Sequence, residues 1–143
     1  METSESSETK RRYAVLIAPR KRPAIVGFFD PYREYDFLGT DCIEDVVRGP
    51  GAELVLDCLR ERVNGDIVIA VCNDLGCFGL EPNLWASCAY AKKWDVIFGN
   101  LLFVSVNEKE GCYQMMTQEV AEEVVRILNE TADAFKKKID EEN

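Results

Sequence analysis

From Thr117 onward the chain carries one apolar stripe: Val120, Val124, Ile127, Leu128, Thr131 and Phe135 recur three or four residues apart. That spacing places them on one face of an α-helix, with charged residues on the other faces. Thr117 is placed to cap the helix, and Gln118 and Glu119 fall in the first turn, where negative charge suits the dipole. Glu122 and Arg126 stand four apart, a helix-supporting pair. Such a one-sided helix cannot bury its stripe alone. It needs a broad apolar surface, and the preceding residues offer a β-sheet.

The runs YAVLIAP and AIVGFF are β-rich and separated only by the basic turn Arg20-Lys21-Arg22-Pro23, which predicts a hairpin. AELVLDCL alternates, with Leu54, Leu56 and Cys58 on one side and Glu53, Val55 and Asp57 on the other. A helical reading through Leu59 and Val63 also fits its second half. Asn64-Gly65 is a tight-turn signal that makes the next run, DIVIAVC, an antiparallel neighbour buried on both faces. DVIFGNLLFVSVN is a further β-prone run, and Gly99 within it marks a bulge or a close backbone approach. TDCIEDVVRG predicts a short helix capped by Asp41, with Ile43, Val46 and Val47 inward and Gly49-Pro50 as the stop. LWASCAYAKKW predicts one or two helical turns. The expected fold is α+β: a mostly antiparallel sheet of about five strands, with a long C-terminal helix and one or two short helices packed on one face.

The 143 residues suit one domain. It is expected over residues 13–136, between a disordered polar tail at 1–12 and a frayed polar tail at 137–143. No apolar run approaches membrane-spanning length, and METSESSETKRR lacks the apolar core of a secretory signal, so a cytoplasmic setting is expected. No membrane partner is expected from runs so short, and the net charge of −9 argues against direct nucleic-acid binding, leaving solubility, nucleic-acid mimicry or a basic partner as its meaning. Arg20, Lys21 and Arg22 are either solvated or open to a phosphate. Six cysteines and no histidine give no paired metal-ligand spacing; Cys72 and Cys77, the nearest two, stand alone. Thiols, no metal and no cofactor are expected, with Cys42, Cys58 and Cys72 as small core hydrophobes. The missing histidine also removes the commonest general base, and no other catalytic signature replaces it.

The stretch NDLGCFGLEPN, residues 73–83, packs turn chemistry between two apolar segments. Read structurally, Asn73 or Asp74 starts an Asx-type turn and Gly76 supplies a positive φ. Gly79 then lets the chain approach the sheet, Pro82 fixes the exit, and Asn83 caps the next helix. Read functionally, Asn73, Asp74, Asn83 and Trp85 line one end of the sheet, joined by Asn100 where Gly99 bends its strand. Amides beside an indole suit a small polar ligand such as a nucleotide base.

Several motifs occur in an order that resembles an uncharacterised family of small acidic domains carried by phages, plasmids and conjugative elements of bacteria. Cys72-Asn73-Asp74-Leu75-Gly76 stands where the family has N-E-x-G, and Gly79-Leu80-Glu81-Pro82-Asn83 where it has G-L-P-x-N. The Asp-led strand with an internal glycine is Asp95-Val96-Ile97-Phe98-Gly99-Asn100. An acidic turn at Glu108 to Gly111 and the capped helix at Thr117-Gln118-Glu119 follow. The resemblance covers about Tyr13 to Leu128. It departs at Leu84, where the family is often basic, and in a longer stretch from Trp85 to Trp94. It implies an accessory protein of a mobile element, with action on host defence as one such role, and carries no activity. The leading expectation is a non-enzymatic domain that binds a host protein or sequesters a small ligand. An acidic mimic that occupies a DNA-binding enzyme, and a carboxylate-based enzyme, are the alternatives.

Overall fold

The computed structural model describes residues 11–27 and 37–142. Strand β1 (Arg11–Ile17) and β2 (Ala24–Gly27) form the expected hairpin, with Tyr13 opposite Gly27 and Leu16 opposite Ala24. Then come β3 (Phe37–Leu38), helix α1 (Thr40–Val47), β4 (Gly51–Leu54) and β5 (Val68–Asn73). Helix α2 (Leu84–Tyr90), β6 (Leu101–Asn107), β7 (Cys112–Gln114), β8 (Met116–Thr117) and helix α3 (Gln118–Glu142) complete the chain.

Every described strand pairing is antiparallel. Five strands run in the order β2-β1-β6-β5-β4. Three short ones extend them: β7 continues along β6, β3 pairs with β7, and β8 pairs with β1. The fold is therefore α+β with a mostly antiparallel sheet and a long C-terminal helix.

Side-chain alternation gives the sheet two apolar faces. Val15, Ile17, Leu101 and Phe103 point to the side covered by α2 and α3, where Val120, Val124 and Leu128 meet them. Ala14, Leu102, Val104 and Val71 point to the opposite side, beneath Ile43 and Val47 of α1. The helices thus lie on both faces, not one. Central strands β1 and β6 are apolar at successive positions, and a strand of that kind requires cover on each side. With eight residues, α1 is only about 12 Å long. Beyond its reach, Ile69, Val106 and Tyr113 remain half-buried.

Several local expectations change. Within the described residues, strand β1 already starts at Arg11, two residues before the expected Tyr13, through backbone pairing of Arg11 with Thr117 and Tyr13 with Met116. Residues 1–10 lie outside the described residues, as does most of the aromatic loop before Phe37. At the other end, α3 continues to Glu142 rather than fraying from 137. Ile139 is half-buried there, and Glu142 reaches Lys93 at 2.9 Å. Gly39, not Asp41, caps α1, which leaves Asp41 in the first turn. Strand β4 stops at Leu54, and a 3-10 turn at Asp57–Leu59 sends both Leu56 and Leu59 into the core while Val55 faces solvent. On α3, Thr117 caps through a bond from the Val120 N–H to Oγ1 at 3.2 Å. Arg126 pairs with Glu123 and Glu130 rather than with Glu122, which accepts from Gln118.

Candidate functional site

The 73–83 loop is built by its asparagines. The Asn73 amide donates to the Val47 and Arg48 carbonyls at 3.0 and 2.7 Å, and its Oδ1 accepts from the Leu75 N–H at 2.7 Å. Asn100 donates to the Val46 carbonyl at 2.8 Å. The last carbonyls of a helix have no partners within it. Here two asparagines from neighbouring sheet positions supply them for α1. The chain must pass closely to permit this: a Cβ on Gly49 would lie 2.7 Å from the Asn73 amide nitrogen.

Asn83 is completely buried. Its Oδ1 accepts from the Ala86 N–H at 3.0 Å, as an N-cap does, while its amide donates to Ile17 and Gly99 carbonyls at 2.9 and 2.7 Å. Its own carbonyl accepts from Ser87 Oγ at 2.7 Å, and that hydroxyl accepts from the Ile97 N–H at 2.9 Å. The loop's glycines differ from the roles expected of them, and neither has a positive φ in the left-handed region. Gly76 has no positive φ; it lies against the Phe98 backbone, where a Cβ would stand 3.1 Å from the carbonyl oxygen. Gly79 is the open one, with nothing within 4 Å of an added Cβ.

The five candidate residues do not converge. Asn73 and Asn100 share the end of α1, but their amides are occupied by its carbonyls. Asp74 is exposed and engages Pro50 only through its backbone N–H, at 2.8 Å. Asn83 lies beneath the surface. Asn100 lines a depression of about 260 Å³ with Arg48, Glu81 and Gly99, whereas Trp85 lines a different one with Arg22, Asp133 and Lys136. The Arg22 guanidinium sits 4.0 Å from the centroid of the Trp85 ring and bonds Asp133 at 2.9 Å and Asn129 at 3.2 Å. Arg20 pairs with Glu81. Protein carboxylates therefore engage two of the turn's three basic residues, and the turn is stitched to α2, α3 and the 73–83 loop.

Burial raises the thiol pKa of Cys58, Cys72 and Cys88, which favours their neutral form at neutral pH. Cysteines 42, 58 and 72 pack beside the core, as their apolar neighbours imply. Among the described residues, no three His, Cys, Asp or Glu side chains gather as metal ligands would. Within the same residues, no helix is long and apolar enough to cross a membrane.

What the loops do display is apolar. Glu81 accepts from the Gly99 N–H and Ile97 accepts from the Asn83 N–H, so residues 81–83 run antiparallel to 97–99. Leu84 opens α2 directly after Asn83, and Val96 directly precedes Ile97, so the two residues flank the Asn83–Ile97 bond, with Trp94 two residues before Val96. Phe78 and Leu75 flank Gly76, which is itself seated on Phe98. Phe78 is 82% and Trp94 87% exposed, while Leu75, Leu84 and Val96 are all more than half exposed. Sequence reasoning passed over them because an apolar residue in a loop reads as core. The available signal was position: Phe78 sits within turn chemistry, between Gly76 and Gly79, outside any periodic stripe.

Comparison with protein-family models, with curated proteins and with solved structures finds no match for this chain.

Proposed function

We propose that this chain is a non-catalytic docking domain that engages a partner protein through the end of the molecule formed by residues 75–84 and 92–98. The observation that carries this reading is the exposed set Leu75, Phe78, Leu84, Trp94 and Val96, drawn from two hydrogen-bonded loops. Large apolar side chains grouped on a surface mark an interaction site, and aromatic anchors dominate the energetics of such sites. The framework beneath them is held by Asn73, Asn83 and Asn100, so little ordering is required on binding.

Charge narrows the partner. Asp74 and Asp95 border the apolar set, and neither has an ion-pair partner among the described residues, whereas Lys92 and Lys93 are paired with Asp57 and Glu142. Together with the net charge of −9, this favours an apolar recess rimmed by Lys or Arg. The resemblance to mobile-element proteins suggests that the partner belongs to the host and that the encounter is cytoplasmic. Nucleic-acid mimicry draws less support, since Arg126 engages Glu123 and Glu130, and Lys136 engages Asp140, instead of leaving free rows of carboxylates on α3.

Photo-crosslinking tests the reading. A photoreactive residue at position 78 should trap a discrete protein adduct that Trp94→Ser abolishes, while the same residue at position 130 traps none. Identical adducts from both positions, or none from position 78, would refute it.

A further inference from the structure

The sheet face beside α1 carries a second feature, which shares no residue with the loop patch. Where α1 ends its cover, a groove of about 390 Å³ opens over Ile69 of β5 and Val106 of β6. Register explains its walls. Ile69 lies opposite Val104, Val106 opposite Tyr113, and Tyr113 opposite Leu38, so their side chains share one face. Glu53 lies opposite Val71 on that same face. Phe37 closes the groove at β3 and Thr40 at the start of α1.

The electrostatics of the groove are simple. Among the described residues, Glu53 is the only charged one lining it. The Tyr113 hydroxyl crosses β6 and β5 to donate a hydrogen bond to Glu53 Oε2. The other carboxylate oxygen, Oε1, has no partner among the described residues. Burial, followed by the bond to Glu53, pushes the Tyr113 pKa up to about 12. Tyr113 thus remains a protonated donor at neutral pH, and the Glu53 carboxylate stands beside two aromatic walls, Phe37 and Tyr113. A lone carboxylate with aromatic faces and an aliphatic floor complements a cation on a short apolar body. The volume falls within the range of small-ligand pockets, roughly 300–1,000 Å³.

We propose that this groove binds an organic ammonium group, with Glu53 as its counter-ion, Tyr113 orienting the carboxylate, and Phe37, Ile69 and Val106 enclosing the attached carbon chain. The same chemistry occurs in free amines and in lysine side chains.

Titration of the full chain with benzylammonium, the neutral isostere benzyl alcohol, and a capped Gly-Lys-Gly peptide, followed by amide NMR shifts, tests this. Benzylammonium should shift residues 53, 69, 106 and 113 and bind about tenfold or more tightly than benzyl alcohol, on the scale of one charge-assisted hydrogen bond. Glu53→Gln should remove that preference. Tyr113→Phe, which keeps the ring and the charge, should retain it, and Glu130→Gln on α3 should leave it unchanged. Tighter binding of the peptide than of benzylammonium would assign the cation to a protein segment; the reverse would assign it to a free amine. Equal binding of benzylammonium and benzyl alcohol overturns the proposal, and that comparison on the unmodified chain decides even where Glu53→Gln fails to fold. Shifts confined to other residues overturn it as well.

Discussion

Asn83 donates its side-chain amide to the Gly99 carbonyl at 2.7 Å, which ties the first turn of α2 to the bend that leads into β6. The same amide reaches the Ile17 carbonyl at 2.9 Å, where β1 ends. One fully buried residue thus joins three elements. Asn83→Ala removes an N-cap and leaves two carbonyls without this donor. The combined cost should be about 2–4 kcal/mol, from roughly 1 for the cap and 1–3 for buried groups left unsatisfied. Urea denaturation of the variant measures it. A loss below about 0.5 kcal/mol, the scale of surface changes, would mean that water replaces the amide.

Leu128 and Phe78 are both large and apolar, yet Leu128 is 0% and Phe78 82% exposed. Leu128→Ala should therefore cost about 2–5 kcal/mol. Phe78→Ser and Trp94→Ser should each stay within about 0.5 kcal/mol of the parent. The contrast is read by melting the three variants side by side. A strong destabilisation by Phe78→Ser would show that the ring is buried in solution and would remove the basis for docking at that end.

Gly99 combines a φ of +76° with a Leu80 side chain that would lie 2.6 Å from an added Cβ. Gly99→Ala faces both constraints, and about 1–3 kcal/mol is the usual cost of such backbone strain alone. Adding Leu80→Ala relieves only the contact, at Cδ1. The double variant should thus remain less stable than Leu80→Ala alone. Equal stability of those two proteins would show that the backbone relaxes out of the left-handed region.

These residues show where the sequence was readable. Periodicity located α3, because six positions repeat one signal. Asn64-Gly65 also forms its tight turn, with φ values of 48° and 91° and bonds between Val63 and Asp66. The placement of α1 on the opposite face was only partly readable. Runs such as YAVLI and LLFVSV are apolar at successive positions and so call for cover on both sides, but which helix lies on which face is set by the assembled sheet. The role of the loop's asparagines was not readable for a related reason. The amides of Asn73, Asn83 and Asn100 donate to backbone carbonyls, but an asparagine that binds a ligand and one that binds backbone carbonyls look identical in sequence. Only the positions of Val46, Val47 and Ile17 separate the two roles. Glu53 and Tyr113, which lie 60 residues apart, meet only through the strand order.

That meeting yields a prediction in pH. Tyr113 is raised from the usual tyrosine value to about 12, first by burial and then by its bond to Glu53. The unfolded chain releases the same proton near pH 10. Between those values the folded state holds a proton that the unfolded state has lost, so stability falls as pH rises. The contribution is fully present below about pH 10 and is lost as pH passes through about 12. Titration of tyrosinate absorbance should show one late-ionising group that Tyr113→Phe removes. The same variant should also flatten part of the decline in melting temperature between about pH 10 and 12. Glu53→Gln should make Tyr113 ionise earlier, because it removes the negative charge that opposes a second one nearby, although burial will still hold the value above that of a free tyrosine. If the late-ionising group survives in Tyr113→Phe, it belongs to another tyrosine, and the hydroxyl that spans the groove is not the constrained donor described here.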